Sequence, residues 1–330
     1  MERKKKRVLK NMAGIARLYI EAAKELGCEY DIISVPYIFR IIKGKKRWLF
    51  FGANTPLNSL SGGKIADNKH ATKRVLKQIK IPLTQDFTLD QEDYKKVIRE
   101  MEIYFPVVLK PLAGTIQGSG VITNIKSKKE LHKMVKRLNN KGFMKLLVEE
   151  YLEGLNDFRV LVFKNKVVAA TLRVPAYVIG DGKTRIRELI EEKNIEREKL
   201  YEIDMGEIKI DDDLKQCLKE QDLNLYSVPN LNKKIKLKSV CNLGQGGEGM
   251  DVTDDICDYN KNLAIKVAKA LDLKLAGLDF LCKDISKPLK RRQGVIIEVN
   301  ESPGFKLHQY PTVGKPRNIA KMIMKEIINN

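Results

Sequence analysis

Near the C-terminus an apolar run carries two oxygen-bearing side chains that a plain core strand would not need: Val295-Ile296-Ile297-Glu298-Val299-Asn300. On a strand, residues two apart face the same side, so Glu298 and Asn300 project together. A carboxylate beside a carboxamide is an oxygen-donor pair suited to magnesium. A second apolar stretch, Leu275-Ala276-Gly277-Leu278, ends on Asp279. If the two stretches pair, Asp279 adds a third oxygen ligand. A few carboxylates completed by phosphate oxygens is the set magnesium prefers. The same residues also fit a strand-end cluster satisfied by lysines, because polar groups inside apolar strands need partners in any case. Glu301-Ser302-Pro303-Gly304-Phe305 then turns the chain sharply. His308 lies just beyond, where its plain reading is a surface histidine.

A second segment suits phosphate. Lys110-Pro111 closes the apolar run Val107-Val108-Leu109 and is followed by Gly114-Thr115-Ile116-Gln117-Gly118-Ser119-Gly120-Val121. Glycines at 114, 118 and 120 let backbone N–H groups point inward and approach a ligand closely. A lysine at the mouth of such a loop supplies fixed positive charge for phosphate oxygens. An ordinary glycine-rich hairpin with an exposed lysine has the same composition. The segment is not a P-loop, because no Gly-Lys-Ser/Thr follows it. Nor is it a dinucleotide-binding turn, because Val121-Ile122-Thr123 reads as strand and not helix. A third segment, Leu147-Val148-Glu149-Glu150-Tyr151-Leu152-Glu153-Gly154, is a strand running into a glycine turn. Backbone groups at its end can read an adenine edge as a neighbouring strand would, and Asp157 can hold ribose hydroxyls. Charged residues at strand ends are also commonly just solvated.

The elements that must hold these segments follow from periodicity and punctuation. A front module over 1–66 carries an amphipathic helix at about 8–26 and strands near 29–35, 37–42 and 47–51, the last two turned by Gly44-Lys45-Lys46. Residues 52–63 read as loop. Asp67 caps a helix to about Ile79, Asp90 caps the next, and Ser127 another. Strands are expected near 121–125, 145–150, 158–163, 167–173, 275–282 and 294–299, with helices from 259 and over 316–328. The charged stretch 183–238 is expected to include a long loop. The fold class is α+β.

Bulk properties exclude several classes. The 330 residues are 43% hydrophobic, enough for more than one compact lobe. No run approaches the length of a membrane span, and the basic N-terminus leads into no signal-peptide core. Five widely spaced cysteines without a CxxC pair argue against a zinc site or a disulfide scaffold and suit a reducing cytoplasm. The net charge of +20 invites a nucleic-acid reading. However, the basic residues are spread along the chain among Glu and Asp, with no accompanying recognition motif. Neither a membrane nor nucleic acid is therefore expected as a partner, and a homo-oligomer is compatible.

Three ordered segments resemble the ATP-grasp ligases from Asp67 to the C-terminus, and within them the ATP-grasp half of cyanophycin synthetase. Arg173-Val174-Pro175-Ala176-Tyr177-Val178-Ile179-Gly180-Asp181-Gly182-Lys183, Met250-Asp251-Val252-Thr253-Asp254 and Asp284-Ile285-Ser286-Lys287-Pro288-Leu289 carry the likeness, with Gly294 to Gly304 and His308. The resemblance implies two lobes, over about 67–146 and 147–330. It implies ATP and magnesium, in two ions or with manganese instead. It implies a carboxylate–amine ligase that forms an amide through an acyl phosphate, acting on amino acids or peptides. It places Lys69 and Lys110 on the phosphates, Gly114 to Gly120 over them, Glu149, Glu150 and Leu152 at adenine, and Asp157 at ribose. It makes Asp279, Glu298 and Asn300 the metal ligands. Asn242 lies near the transferred phosphate, Arg173 and Lys238 near the acyl phosphate, and Ser302, Gly304 and His308 near substrate. A glutamate-adding ligase on a peptide tail, or a basic polyanion-binding protein with a regulatory ATP site, are the competing readings. The glycine loop is about one residue longer than in near relatives, Gly244 to Gly249 is richer in glycine, and the front module is shorter. Cyanophycin synthetases carry a Mur-ligase-like half after this region; the chain stops at Asn330, so cyanophycin synthesis is not expected.

Overall fold

The computed structural model describes residues 8–112, 120–198, 206–241, 243–290 and 294–329. In chain order the elements are α1 (Gly14–Glu25), β1 (Glu29–Ser34), β2 (Ile38–Lys43), β3 (Lys46–Phe51), α2 (Leu60–Asp67), α3 (Lys69–Gln78), β4 (Asp86–Asp90) and α4 (Tyr94–Glu100). Next come β5 (Val107–Pro111), β6 (Ile122–Ile125), α5 (Lys128–Asn139), β7 (Lys145–Glu150), β8 (Asn156–Phe163), β9 (Lys166–Val174), β10 (Tyr177–Ile179) and α6 (Ile186–Glu198). The chain finishes with α7 (Asp212–Lys219), β11 (Lys234–Lys236), β12 (Glu248–Asp251), α8 (Asp258–Ala270), β13 (Leu275–Cys282), β14 (Gly294–Asn300), α9 (Lys306–Gln309) and α10 (Ile319–Asn329). Two compact units form, each discontinuous in sequence. One holds Met1–Pro56, Ala169–Thr253 and Gly304–Asn330; the other holds Leu57–Val168 and Asp254–Pro303. These limits differ from the divisions expected at 66/67 and 146/147.

In the first unit, β1, β2 and β3 form an antiparallel meander whose second turn is closed by Lys43 opposite Lys46. Gly44 sits there at φ +57°, a conformation that favours glycine. Helix α1 buries Ala16, Tyr19, Ile20 and Ala23, the 3–4 spacing of an amphipathic helix. The Tyr19 ring lies 5.8 Å from Phe50 and 5.4 Å from Phe305, and Phe39 stacks on Phe50 at 4.8 Å. Each such side chain contributes about 1.5–3 kcal/mol of burial. The front module therefore shares a core with the chain's C-terminal part, and α1 also packs on α10. Strand β9 pairs with β12, setting Arg173 opposite Gly249. The charged stretch 183–238 holds the helices α6 and α7, as its charged helical segments suggested, with residues 220–233 outside helix and strand before β11; β10 precedes it. These elements surround a core of Val178, Ile186, Ile190, Leu214, Leu218 and Ile235. Its charged helices concealed that core because their apolar positions are few and spaced.

The second unit contains an antiparallel sheet in the order β4-β7-β5-β6. Its core joins Leu89, Ile98, Leu109, Leu131, Val135 and Leu146. It also contains the run β8-β13-β14, all antiparallel. Residues 52–63 are not all loop. Ser59 caps α2 by accepting from the Gly62 N–H at 3.0 Å. Gly62 is required there, because a Cβ would stand 2.2 Å from the Leu271 carbonyl oxygen. Asp67 ends α2, and Asn68 caps α3 by accepting from the Ala71 N–H. The cap moved by one residue because both side chains are good caps and the tight α2–α3 junction admits only one. Ser127 caps α5 as expected. Asp93 and not Asp90 precedes α4, since Asp90 still belongs to β4.

Candidate active site

All the nucleotide- and metal-directed candidates with described positions fall in the second unit. Strand β5 delivers Lys110, buried, at its end. Lys69 opens α3, and its backbone N–H donates to the Leu112 carbonyl at 3.3 Å, which joins the helix start to the strand end. The two lysines expected at phosphate are thereby neighbours in the fold. They are also engaged with carboxylates. Lys110 Nζ lies 2.5 Å from Glu149 Oε2, and Lys73 Nζ lies 2.5 Å from Glu149 Oε1. Lys73 also donates to Thr84 Oγ1 at 2.7 Å and has Asp86 at 3.8 Å. Burial alone would raise the Glu149 carboxyl; Lys110 and Lys73 outweigh it and hold the group below the ordinary carboxylate range. Burial pushes Lys73 down, against Glu149 and Asp86.

The side chain of Glu149 is the anion of a buried ion triad. In the backbone beside it, Glu150 N–H bonds the Gln85 carbonyl at 3.4 Å and Tyr151 N–H the Pro106 carbonyl at 3.1 Å. Glu150 Oε2 accepts from the Gln85 N–H. Leu152, half-buried, follows the strand end. Gly114 and Gly118 lie outside the described residues. Gly120 has φ +78°, and a Cβ there would meet Pro111 Cγ at 2.9 Å.

The metal candidates converge as the strand argument required. Asp279 stands directly opposite Glu298, and Gly277 opposite Asn300. A bulge between Asp279 and Phe280 moves Phe280 opposite Ile296, so Glu298 and Asn300 keep the face of Asp279. On the other side of β13, Asp279 faces Arg159, and Leu281 faces Asp157. Asp157, Arg159, Asp279, Glu298 and Asn300 thus share one face. Both carboxylates hold a cation. Arg159 donates from Nε to Asp279 Oδ1 and from Nη2 to Oδ2 at 3.2 Å, while Lys69 Nζ lies 3.3 Å from Glu298. Two carboxylates and a carboxamide, all oxygen, fit magnesium; among the described residues no group of three or more His, Cys, Asp and Glu gathers as a zinc site would need.

The remaining candidates divide. Ser302 belongs to the second unit, its hydroxyl 3.3 Å from Glu301 Oε1. Gly304 has open space where a Cβ would stand. His308 is no surface histidine: it is fully buried on α9, with Nδ1 2.7 Å from Thr171 Oγ1. Lys238 is buried too, and its Nζ donates to Asp211 Oδ1 at 2.6 Å, the same oxygen that caps α7. Arg173 is half-buried on β9. Asn242 lies outside the described residues. Three residues escaped the sequence reading. Lys73 follows Lys69 by four, hence on the same helix face. Arg159 follows Asp157 by two, hence on the same strand face. Asn58 donates to the carbonyls of Leu275 and Glu301 and accepts from the Lys274 and Leu275 N–H groups, clamping the ends of the metal strands.

A sequence profile of the RimK-like ATP-grasp domain matches residues 66–185 and 228–327. The chain belongs to that family. It is 34% identical over 313 residues to the cyanophycin synthetase of Trichormus variabilis, covering 94% of this chain and 34% of that one. It is 29% identical over 319 residues to the glutathione biosynthesis bifunctional protein of Clostridium perfringens, covering 94% and 40%. A bifunctional glutathione synthetase from Pasteurella multocida shares the fold, with TM-score 0.70 at 23% identity, over 97% of this chain and 45% of that one. The chain spans about a third of the length of the cyanophycin synthetases it matches.

Proposed function

We propose that this chain joins a carboxylate to an amine at the expense of ATP, releasing ADP and phosphate. The carrying observation is the shared face of β8, β13 and β14, where Asp279 and Glu298 stand opposite each other beside Lys69. A substrate carboxylate oxygen attacks the γ-phosphorus of ATP, and the bond to the β-phosphate oxygen breaks. The amine then attacks the acyl carbon, phosphate leaves and the nitrogen loses a proton. The chain's part is positioning and charge neutralisation. Magnesium held at Asp279, Glu298 and Asn300 would neutralise the β- and γ-phosphate oxygens. Lys69, 3.3 Å from Glu298, would offer its charge to a phosphate oxygen if a metal took up the Glu298 carboxylate. Lys110 adds fixed positive charge while remaining tied to Glu149. Arg173 keeps the role at the acyl phosphate that the resemblance gives it.

The substrates proposed are amino acids or short peptides, as the names of the relatives suggest. Among the described residues no helix is long and apolar enough to cross a membrane, and the five cysteines are free, which fits a cytoplasmic setting. The test is phosphate release from ATP and magnesium across a panel of amino acids and peptides, with product masses. Release that requires both a carboxylate and an amine supports the proposal. ATP consumption indifferent to both, or salt-sensitive binding of polyanions alone, rejects it.

A further inference from the structure

Across β8, β13, β14 and α3 the charged groups run in the order Arg159, Asp279, Glu298, Lys69. Two like charges stand directly opposite at the centre, an arrangement that is unfavourable in a sheet unless something holds it. The two outer cations are not equivalent. Lys69 makes a single contact with Glu298, whose side chain is 34% exposed. Arg159 grips both oxygens of Asp279, which is 3% exposed, in the planar fork that fixes a carboxylate's direction as well as its charge. The chain also makes room for that fork. A Cβ at Gly277 would stand 3.2 Å from Arg159 Nη1, 3.3 Å from its Cδ and 2.6 Å from Pro303 Cβ. Glycine at 277 therefore keeps open the path along which the arginine crosses β13.

We infer that Arg159 is a positioning residue for the metal ligand Asp279, with Gly277 as the opening that admits it. Arg159 remains on Asp279 when a metal enters, because the bidentate contact leaves each carboxylate oxygen a further lone pair. Its loss removes the fork that fixes the direction of the Asp279 carboxylate. Metal affinity then falls, whereas nucleotide affinity measured without metal does not. The inference rests on the nucleotide and metal reading above.

The experiment uses the full chain, Mn2+ as a paramagnetic probe of bound metal and ADP as the nucleotide, with ADP binding measured separately in chelator. Arg159→Met is expected to weaken Mn2+ binding at saturating ADP by about tenfold or more, the usual effect of removing a group that orients a metal ligand. Arg159→Lys should recover part of the loss. ADP binding in chelator should stay within about twofold. Arg159→Gln, which stays polar but cannot span both oxygens of Asp279, carries the test if Arg159→Met fails to fold. Wild-type Mn2+ affinity in folded Arg159→Met, or in Arg159→Gln when Arg159→Met does not fold, overturns the inference. A wild-type chain that binds neither ADP nor Mn2+ fails earlier and differently, because it removes the nucleotide reading itself.

Discussion

In the second unit, the charged side chains singled out for chemistry meet charged partners, some of them candidates and some not. Lys110 lies 2.5 Å from Glu149 and Lys69 3.3 Å from Glu298, while Lys73 and Arg159, which the sequence did not single out, hold Glu149 and Asp279. In the first unit, two of the candidates meet structural partners instead, Lys238 on the capping Asp211 and His308 on Thr171. Triphosphate and metal chemistry needs several charges at fixed mutual distances, so it selects strand-register positions that are visible as motifs. An acceptor pocket needs shape, and its polar residues have no fixed spacing. Motif logic therefore brings the candidates of the second unit to one sheet face and leaves those of the first on separate partners.

The largest expected effect tests the first side of that contrast. Asp279→Asn and Glu298→Gln preserve size and remove metal-binding charge, so each should lower turnover by about 10³-fold or more, several kcal/mol of transition-state stabilisation. Turnover assays on folded variants decide it; a loss under tenfold at both positions would move the metal site elsewhere.

Glu149→Gln should act chiefly on stability. It leaves Lys73 and Lys110 close together and buried without their shared anion, a change of about 3–5 kcal/mol. The denaturation midpoint should fall accordingly. Because Glu149 titrates below the unfolded carboxylate, its contribution is complete above the unfolded pKa of about 4.3 and is lost as pH falls through the lower folded value. The variant should therefore show a flatter acid limb in a stability-versus-pH profile. An unchanged limb would mean that the triad carries no linkage.

The strands that carry the site were legible because each is a short apolar run with a polar exception: Lys110 on β5, Asp279 on β13, Glu298 and Asn300 on β14. The pairing of β13 with β14 was a condition of the sequence argument, and the register meets it. The buried triad was hidden because Lys73 and Glu149 are 76 residues apart and nothing local marks either as buried. Arg159 was hidden for the opposite reason: it lies beside a named residue, but its partner is set by register. In the 183–238 stretch the helices were legible as charged segments, but their shared core was not, because its few apolar positions are diluted by charges on both helices.

Thr171→Val tests whether His308 is part of the packing. The substitution keeps the shape and removes the hydroxyl 2.7 Å from Nδ1, at a cost of about 1–3 kcal/mol for disturbing a fully buried polar contact. A lower melting temperature with unchanged KM values for both substrates is expected. A raised KM without a stability change would return His308 to the substrate site.

Lys238→Met should have the smallest effect. Lys238 is fully buried, but its partner Asp211 is half exposed, so water screens the pair and the net loss is about 1 kcal/mol. Burial would raise the Asp211 carboxyl; the hydrogen bonds from Lys238 and the Leu214 N–H outweigh it and lower the group. That stabilisation is present above the unfolded Asp pKa of about 3.9 and lost as pH falls through the folded value. Methionine fills the stem's volume but donates nothing, leaving Asp211 with its cap to α7 alone. Acid unfolding should then begin at a slightly higher pH while turnover at neutral pH stays within about twofold, a change too small to reflect a lost transition-state contact. A tenfold fall in turnover with unaltered stability would instead place Lys238 at the reacting carboxylate.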